Sequence, residues 1–205
     1  MPEILTHLLV DSSLFPGRIF FRLLLLDSRR RVRSTFFRSS DANDDCMSSG
    51  ILSTAEARKL RDRLDAAGRK LVFSNGCFDI LHRGHVQYLE FARAQGDALI
   101  VGLNSDSSVV RIKGPGRPIN TENDRAAVLS ALRAIDGVVI FDEDEPRALI
   151  EAILPHVLVK GHDWAHYVSG RDIVEAHGGR VVLAEFSAGH STTNTIEKIL
   201  RADAL

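Results

Sequence analysis

Five short segments between residues 70 and 186 are nearly all apolar and rich in β-branched residues: KLVFSN (70–75), DALIVGLN (97–104), GVVIF (137–141), VLVKG (157–161) and RVVLAEF (180–186). Amphipathic stretches with a helical period fill the intervals, at 84–95, 122–134, 145–153, 170–177 and 192–202. Ahead of them, Ser53 and Glu56 are spaced as a capping box. The following AEARKLRDRLDAAG puts Leu60, Leu64 and Ala67 on one face, so a helix is expected to end at Gly68. Strands that are apolar on both faces and alternate with helices imply a parallel sheet covered on two sides. The predicted fold class is therefore α/β, a doubly wound, Rossmann-like parallel sheet of about five strands. Ligands in such folds bind beyond the carboxyl ends of the strands, where strand order reverses.

Residues 1–49 break this regularity. The stretch FPGRIFFRLLLLDSRRRVRSTFFRSSDANDD has neither period, and its leucine run, Leu23 to Leu26, is far shorter than the ~20 residues a membrane span needs. Its arginines follow the apolar run instead of preceding it, which argues against a secretory signal. Residues 1–49 are expected to be a disordered or non-native extension, and 50–205 to be the functional domain. Twenty-six Lys and Arg balance 27 Asp and Glu, so bulk charge points to neither a nucleic acid nor a membrane partner. Two cysteines, Cys46 and Cys77, are too few for a disulfide framework and suit a reducing, cytoplasmic setting.

With the ligand edge defined, the loop after the first strand becomes the first place to look for chemistry. It reads GCFDILHRGH, with Gly84 opening the next helix and His82 and His85 at its start. A helix N-terminus favours a phosphate, Gly84 permits close backbone approach, and two imidazoles add donors that strengthen as charge develops. Zinc would need further ligands, and none stands at a convincing spacing. Cys77 has no base beside it and is read as a packing residue at the strand-to-loop turn.

Later loops add polar groups at the same edge. Asn104, Ser105 and Asp106 suit either a helix cap or ligand contact. KGPGRPI is a Gly/Pro loop carrying Lys113 and Arg117, and it is not a P-loop. Arg125, just inside a helix started by Thr121, reads equally as an exposed charge or a functional one. Lys160, Gly161, Asp163 and Trp164 end a strand, and Trp164 either stacks on a ring or fills the core. Ser191, Thr192 and Thr193 crowd the start of the last helix, more hydroxyls than capping requires, whereas Lys198 reads as a solvated charge.

These residues carry a resemblance. HRGH matches the HxGH signature of the nucleotidyltransferase superfamily, and NGCFDILHRGHVQYLEFAR is similar to its cytidylyltransferase-like branch. GLNSDSSVVRIKGPGRPI, DRAAVLSALRAIDGVVIFDED, HVLVKGHDW and GHSTTNTIEKI follow in that family's order. Together, over about residues 50–202, they resemble the D-glycero-β-D-manno-heptose 1-phosphate adenylyltransferases, which form the second domain of bifunctional heptose kinase/adenylyltransferases. His162 and Thr195 depart from the family pattern.

The resemblance implies transfer of AMP from ATP to a sugar 1-phosphate, giving ADP-heptose, a lipopolysaccharide precursor, and pyrophosphate. It implies that His82, His85 and Lys113 are catalytic. Asn75, Gly76, Cys77, Phe78, Asp79, Gly84, Asn104, Lys160, Gly161, Asp163, Ser191, Thr192 and Thr193 would line the nucleotide. Asp106, Lys113, Arg117 and Trp164 would line the acceptor, and Asp79 would also orient its loop. It further implies Mg²⁺ held mainly by nucleotide phosphates with no metal site of the chain's own, a homo-oligomer, and a separate sugar kinase upstream.

The main alternative is a CTP-dependent cytidylyltransferase acting on glycerol 3-phosphate or a related alcohol phosphate. A class I aminoacyl-tRNA synthetase would need much more chain and a KMSKS-like loop. A non-catalytic nucleotide-binding regulator has no need of both histidines, and both are intact.

Overall fold

In the computed structural model, residues 50–162, 165–185 and 192–202 are described. They lie in one compact unit, Ser48–Leu205. Five parallel strands, β1 (Leu71–Gly76), β2 (Ala98–Asn104), β3 (Gly137–Phe141), β4 (Val157–Gly161) and β5 (Arg180–Ala184), form one sheet in the order β3-β2-β1-β4-β5. The chain steps outward from β1 through β2 to β3 and then returns to the other side of β1. Strand order therefore reverses between β1 and β4, and a crevice opens above their carboxyl ends.

Alternation along the strands splits the core in two. Val72, Leu99, Val101, Leu103, Val138 and Val159 face helices α2 (Arg83–Arg93) and α4 (Glu122–Ser130), meeting Leu89, Ala92 and Leu129. Leu71, Phe73, Ile100, Val139 and Leu158 face α1 (Thr54–Ala66), α5 (Arg147–Ile153) and α6 (Arg171–Ala176). Burying one such aliphatic side chain contributes ~1.5–3 kcal/mol, which is why these strands tolerate almost no polar residue on either face.

The expected strands and helices recur with shifted ends. The Ser53–Glu56 capping box is present, with Glu56 accepting from the Ser53 N–H at 2.8 Å. The helix expected over 122–134 stops at Ser130. Beyond it the N–H groups of Leu132 and Ile135 bond three residues back, and this tighter path tucks Ile135 into the core. Ser105 caps an additional helix, α3 (Asp106–Lys113). Residues 50–52 also run along the outer edge of β3, where Leu52 donates to Val138 O and Val138 donates to Gly50 O. Phe186, at the end of the strand expected over 180–186, lies outside the described residues. Among the described residues no helix is long and apolar enough to cross a membrane.

Candidate active site

The HRGH turn sits where β1 meets α2. His82 is extended, φ −142° and ψ 171°, and occupies the N-cap, its Nδ1 accepting from the His85 N–H at 3.4 Å. A cap with a ring acceptor leaves the first helical turn open to an anion above it. The two imidazoles stack at 3.8 Å between centroids and 16° between planes. Phe78 lies edge-on to His85 at 5.3 Å, its own ring buried in the core. Gly76 packs tightly beside it, since a Cβ there would stand 3.0 Å from the Phe78 ring and would push the ring aside.

Burial, with His82 adding like charge, pulls the His85 pKa down to about 4 from its ordinary 6.5. His85 is thus neutral near pH 7, and its buried Nδ1 has no hydrogen-bond partner. A phosphate brought against this pair would favour the protonated ring, coupling nucleotide binding to proton uptake. In the unliganded protein the sign runs the other way for stability. Between pH 6.5 and 4 the unfolded chain takes up a proton that folded His85 refuses, so stability is fully present above 6.5 and falls as pH drops toward 4. Denaturant melts at pH 7.0 and 5.0 should show this loss, and His85→Gln should make it smaller. An unchanged pH slope in the variant would rule out the shift.

Asp79 anchors the KGPGRPI loop. Its carboxylate is almost fully buried and accepts from Arg117 Nε at 2.6 Å, Ile119 N–H at 2.8 Å and Asn120 N–H at 3.0 Å. Asn120 Nδ2 donates back to Asp79 O at 2.8 Å. Through these bonds Asp79 fastens KGPGRPI to the β1–α2 loop. Arg117, expected on the acceptor phosphate, spends its Nε on that tether. Lys113 ends α3 and is exposed. Lys113 lies near enough to Cys77, as Arg125 and Arg117 do, to favour the thiolate, yet burial prevails and raises the Cys77 pKa. Cys77 is a free thiol held in its less reactive form.

Arg125, ambiguous in the sequence, is a buried joint. It is 2% exposed and donates to Asn120 O at 3.0 Å, Cys77 O at 2.5 Å and Asp106 Oδ1 at 2.8 Å. One guanidinium thereby ties together the β1–α2 loop, the segment after KGPGRPI and the start of α3. Asp106 is partly committed to this ion pair. Asn104 is buried and donates to Ser108 Oγ at 3.0 Å, bracing the β2–α3 turn. Both residues thus serve the scaffold of the crevice, whatever ligand their remaining atoms meet.

Lys160 and Gly161 end β4 on the far side of the crevice, both buried. Thr192 starts α7 (Thr192–Ala202), and its Oγ1 donates to Ile80 O at 3.3 Å, so the last helix begins against the HRGH loop. Thr193 is the second residue of α7. Gly84 lies in the first turn of α2. Asp163, Trp164 and Ser191 lie outside the described residues.

The cytidylyltransferase-like family profile matches residues 73–197, which include the HRGH turn, the cationic loop and the start of α7. The bifunctional protein HldE of Geobacter metallireducens is 55% identical over 154 residues, 75% of this chain and 30% of that protein. HldE of Hyphomonas neptunium is 58% identical over 138 residues, 67% of this chain and 28% of that one. This chain therefore spans about a third or less of these relatives. Among solved structures, a lipopolysaccharide core biosynthesis protein from Thermoplasma volcanium is similar, with 29% identity and a TM-score of 0.50 over 60% of this chain and all of that one. A pantoate-beta-alanine ligase from Francisella tularensis shares the fold at 12% identity, with a TM-score of 0.50 over 74% of this chain and 80% of that one. With the matched span covering more than half the sequence and holding both helix starts that meet at the crevice, the chain belongs to the cytidylyltransferase-like family.

Proposed function

We propose that residues 50–205 transfer AMP from ATP to a sugar 1-phosphate, D-glycero-β-D-manno-heptose 1-phosphate, releasing pyrophosphate. The observation carrying this reading is the meeting of two helix starts, α2 with its stacked histidines and α7 tied to Ile80 by Thr192, beside a loop that carries Lys113 and Arg117. Two helix N-termini suit a polyphosphate, and a cationic loop at the same crevice suits a second phosphate.

A sugar 1-phosphate oxygen is largely ionised at neutral pH, so the chain must align and neutralise and needs no general base. His82 and His85 bind the α-phosphate and stabilise the charge that gathers as the acceptor oxygen attacks in line. Lys113, with Arg117 behind it on Asp79, holds the acceptor phosphate. Ser191, Thr192 and Thr193 hold the β- and γ-phosphates, and Lys160, Gly161, Asp163 and Trp164 line the ligand side of β4. Among the described residues, the carboxylates of Asp79 and Asp106 are engaged by arginines, which fits a magnesium ion carried in by the nucleotide. Bound with ATP, Mg²⁺ would supply charge neutralisation, held mainly by the nucleotide phosphates.

Similarity to part of the HldE proteins supports the sugar phosphate as acceptor. On this reading the phosphorylated sugar is the product of a kinase reaction, and the protein works in the cytoplasm as a homo-oligomer. Pyrophosphate release should be measured with ATP and CTP against heptose 1-phosphate and glycerol 3-phosphate in all four pairings. ATP with heptose 1-phosphate should be fastest. A preference for CTP with glycerol 3-phosphate would replace the substrate assignment.

A further inference from the structure

Asn75 carries an unmet hydrogen bond that neither the scaffold nor the histidine chemistry uses. It is the fifth residue of β1, and its Oδ1 is buried with no hydrogen-bond partner. Asparagine is poorly suited to a buried parallel strand, and leaving a buried polar atom unpaired destabilises the unliganded protein. A ligand that supplies the missing partner resolves this.

The placement of Asn75 indicates which ligand. Side chains alternate along β1, so Asn75 shares the face of Leu71 and Phe73, opposite the one covered by the histidine-bearing α2. Its register partner is Gly102 of β2, where a Cβ would lie 3.2 Å from Asn75 Cβ and 3.3 Å from Leu149 Cδ2 of α5. Asn75 therefore stands beside β2, the strand that leads through α3 into Lys113 and the KGPGRPI loop. The proposed triphosphate elements lie elsewhere, at the starts of α2 and α7.

We infer that Asn75 is a recognition residue for the acceptor, its amide oxygen accepting a hydrogen bond from a hydroxyl of the polyhydroxylated sugar phosphate. This rests on the proposed nucleotidyl transfer to a sugar phosphate, and it moves Asn75 from the nucleotide side, where the family resemblance puts it, to the acceptor side. A cationic loop recognises any phosphate, and a buried amide adds discrimination in favour of an acceptor with a hydroxyl at that point.

The test is Asn75→Leu, nearly the same shape without hydrogen-bonding atoms. The KM for heptose 1-phosphate should rise on the order of tenfold or more, with the KM for ATP within about twofold of wild type. The melting temperature of the unliganded protein should hold or rise, because an unpaired polar group has been removed. A rise confined to the KM for ATP, unchanged KM values, or a lowered melting temperature with both KM values unchanged would overturn the assignment. If the leucine variant does not fold, Asn75→Ala decides by the same split of KM values. If wild type proves inactive with every acceptor, the nucleotidyl transfer reading fails by itself. Calorimetric binding of heptose 1-phosphate to wild type and variant then judges Asn75, and equal affinity would refute its role.

Discussion

Replacing either His82 or His85 with alanine is expected to lower kcat by about 10²-fold or more, the usual effect of removing a donor aimed at transition-state charge. The folds of both variants should survive, because the pair sits at the N-cap and first turn of α2, while the core of that helix is Tyr88, Leu89 and Ala92. His82→Ala also removes the ring acceptor for the His85 N–H, and such a cap contributes ~1 kcal/mol, too little to unfold a domain of this size. The two substitutions should not be additive, since the stacked rings act on one phosphate. Single-turnover rates, with circular dichroism to confirm folding, separate this outcome from unfolding. A folded double variant turning over near the wild-type rate would remove the histidines from the mechanism.

The second large effect is expected at Arg125. In Arg125→Met the apolar stem is kept, while Cys77 O and Asn120 O lose their donor and Asp106 loses its partner. Asp106, 40% exposed, is rehydrated, but leaving the two carbonyls without their donor costs ~3 kcal/mol together. For a domain of this size that corresponds to a fall in melting temperature of about 6–12 °C. Lysine should not rescue it, because an ammonium cannot direct three bonds from one rigid plane. Since the same bonds position the segment after KGPGRPI, the surviving enzyme should also show a raised KM for the acceptor. A variant melting within about 1 °C of wild type would show that the three loops hold their places without this joint.

The sheet was readable because a parallel strand covered on both faces must be apolar almost throughout, and all five expected segments are strands. Helix ends were harder. Leu132 and Ile135 prolong the helical period of 122–134, and only the tighter turns seen in space show why α4 stops at Ser130. Helix α3 was signalled only by its cap, Ser105, since its eight residues are too few for a clear period. Arg125 was illegible for a different reason. Its partners are one nearby carbonyl, Asn120 O, one distant carbonyl, Cys77 O, and one carboxylate, and NDRAA looks the same whether its arginine is solvated or buried. Asp79 was read as an organiser of its loop, but its tie to Arg117, 38 residues away, depends on how that loop folds back. The orphaned oxygen of Asn75 could be found only in the structure, because it is defined by the absence of a neighbour.

The central claim, transfer of AMP through attack on the α-phosphate, is tested most directly by following the phosphorus atoms. ATP labelled at the α-phosphorus, incubated with heptose 1-phosphate and Mg²⁺, should yield a labelled nucleotide sugar whose formation requires the acceptor. ATP labelled at the γ-phosphorus should release all its label as pyrophosphate. Label from the γ-phosphorus in the sugar product, or α-label recovered only as free nucleotide with no dependence on acceptor, would contradict the account.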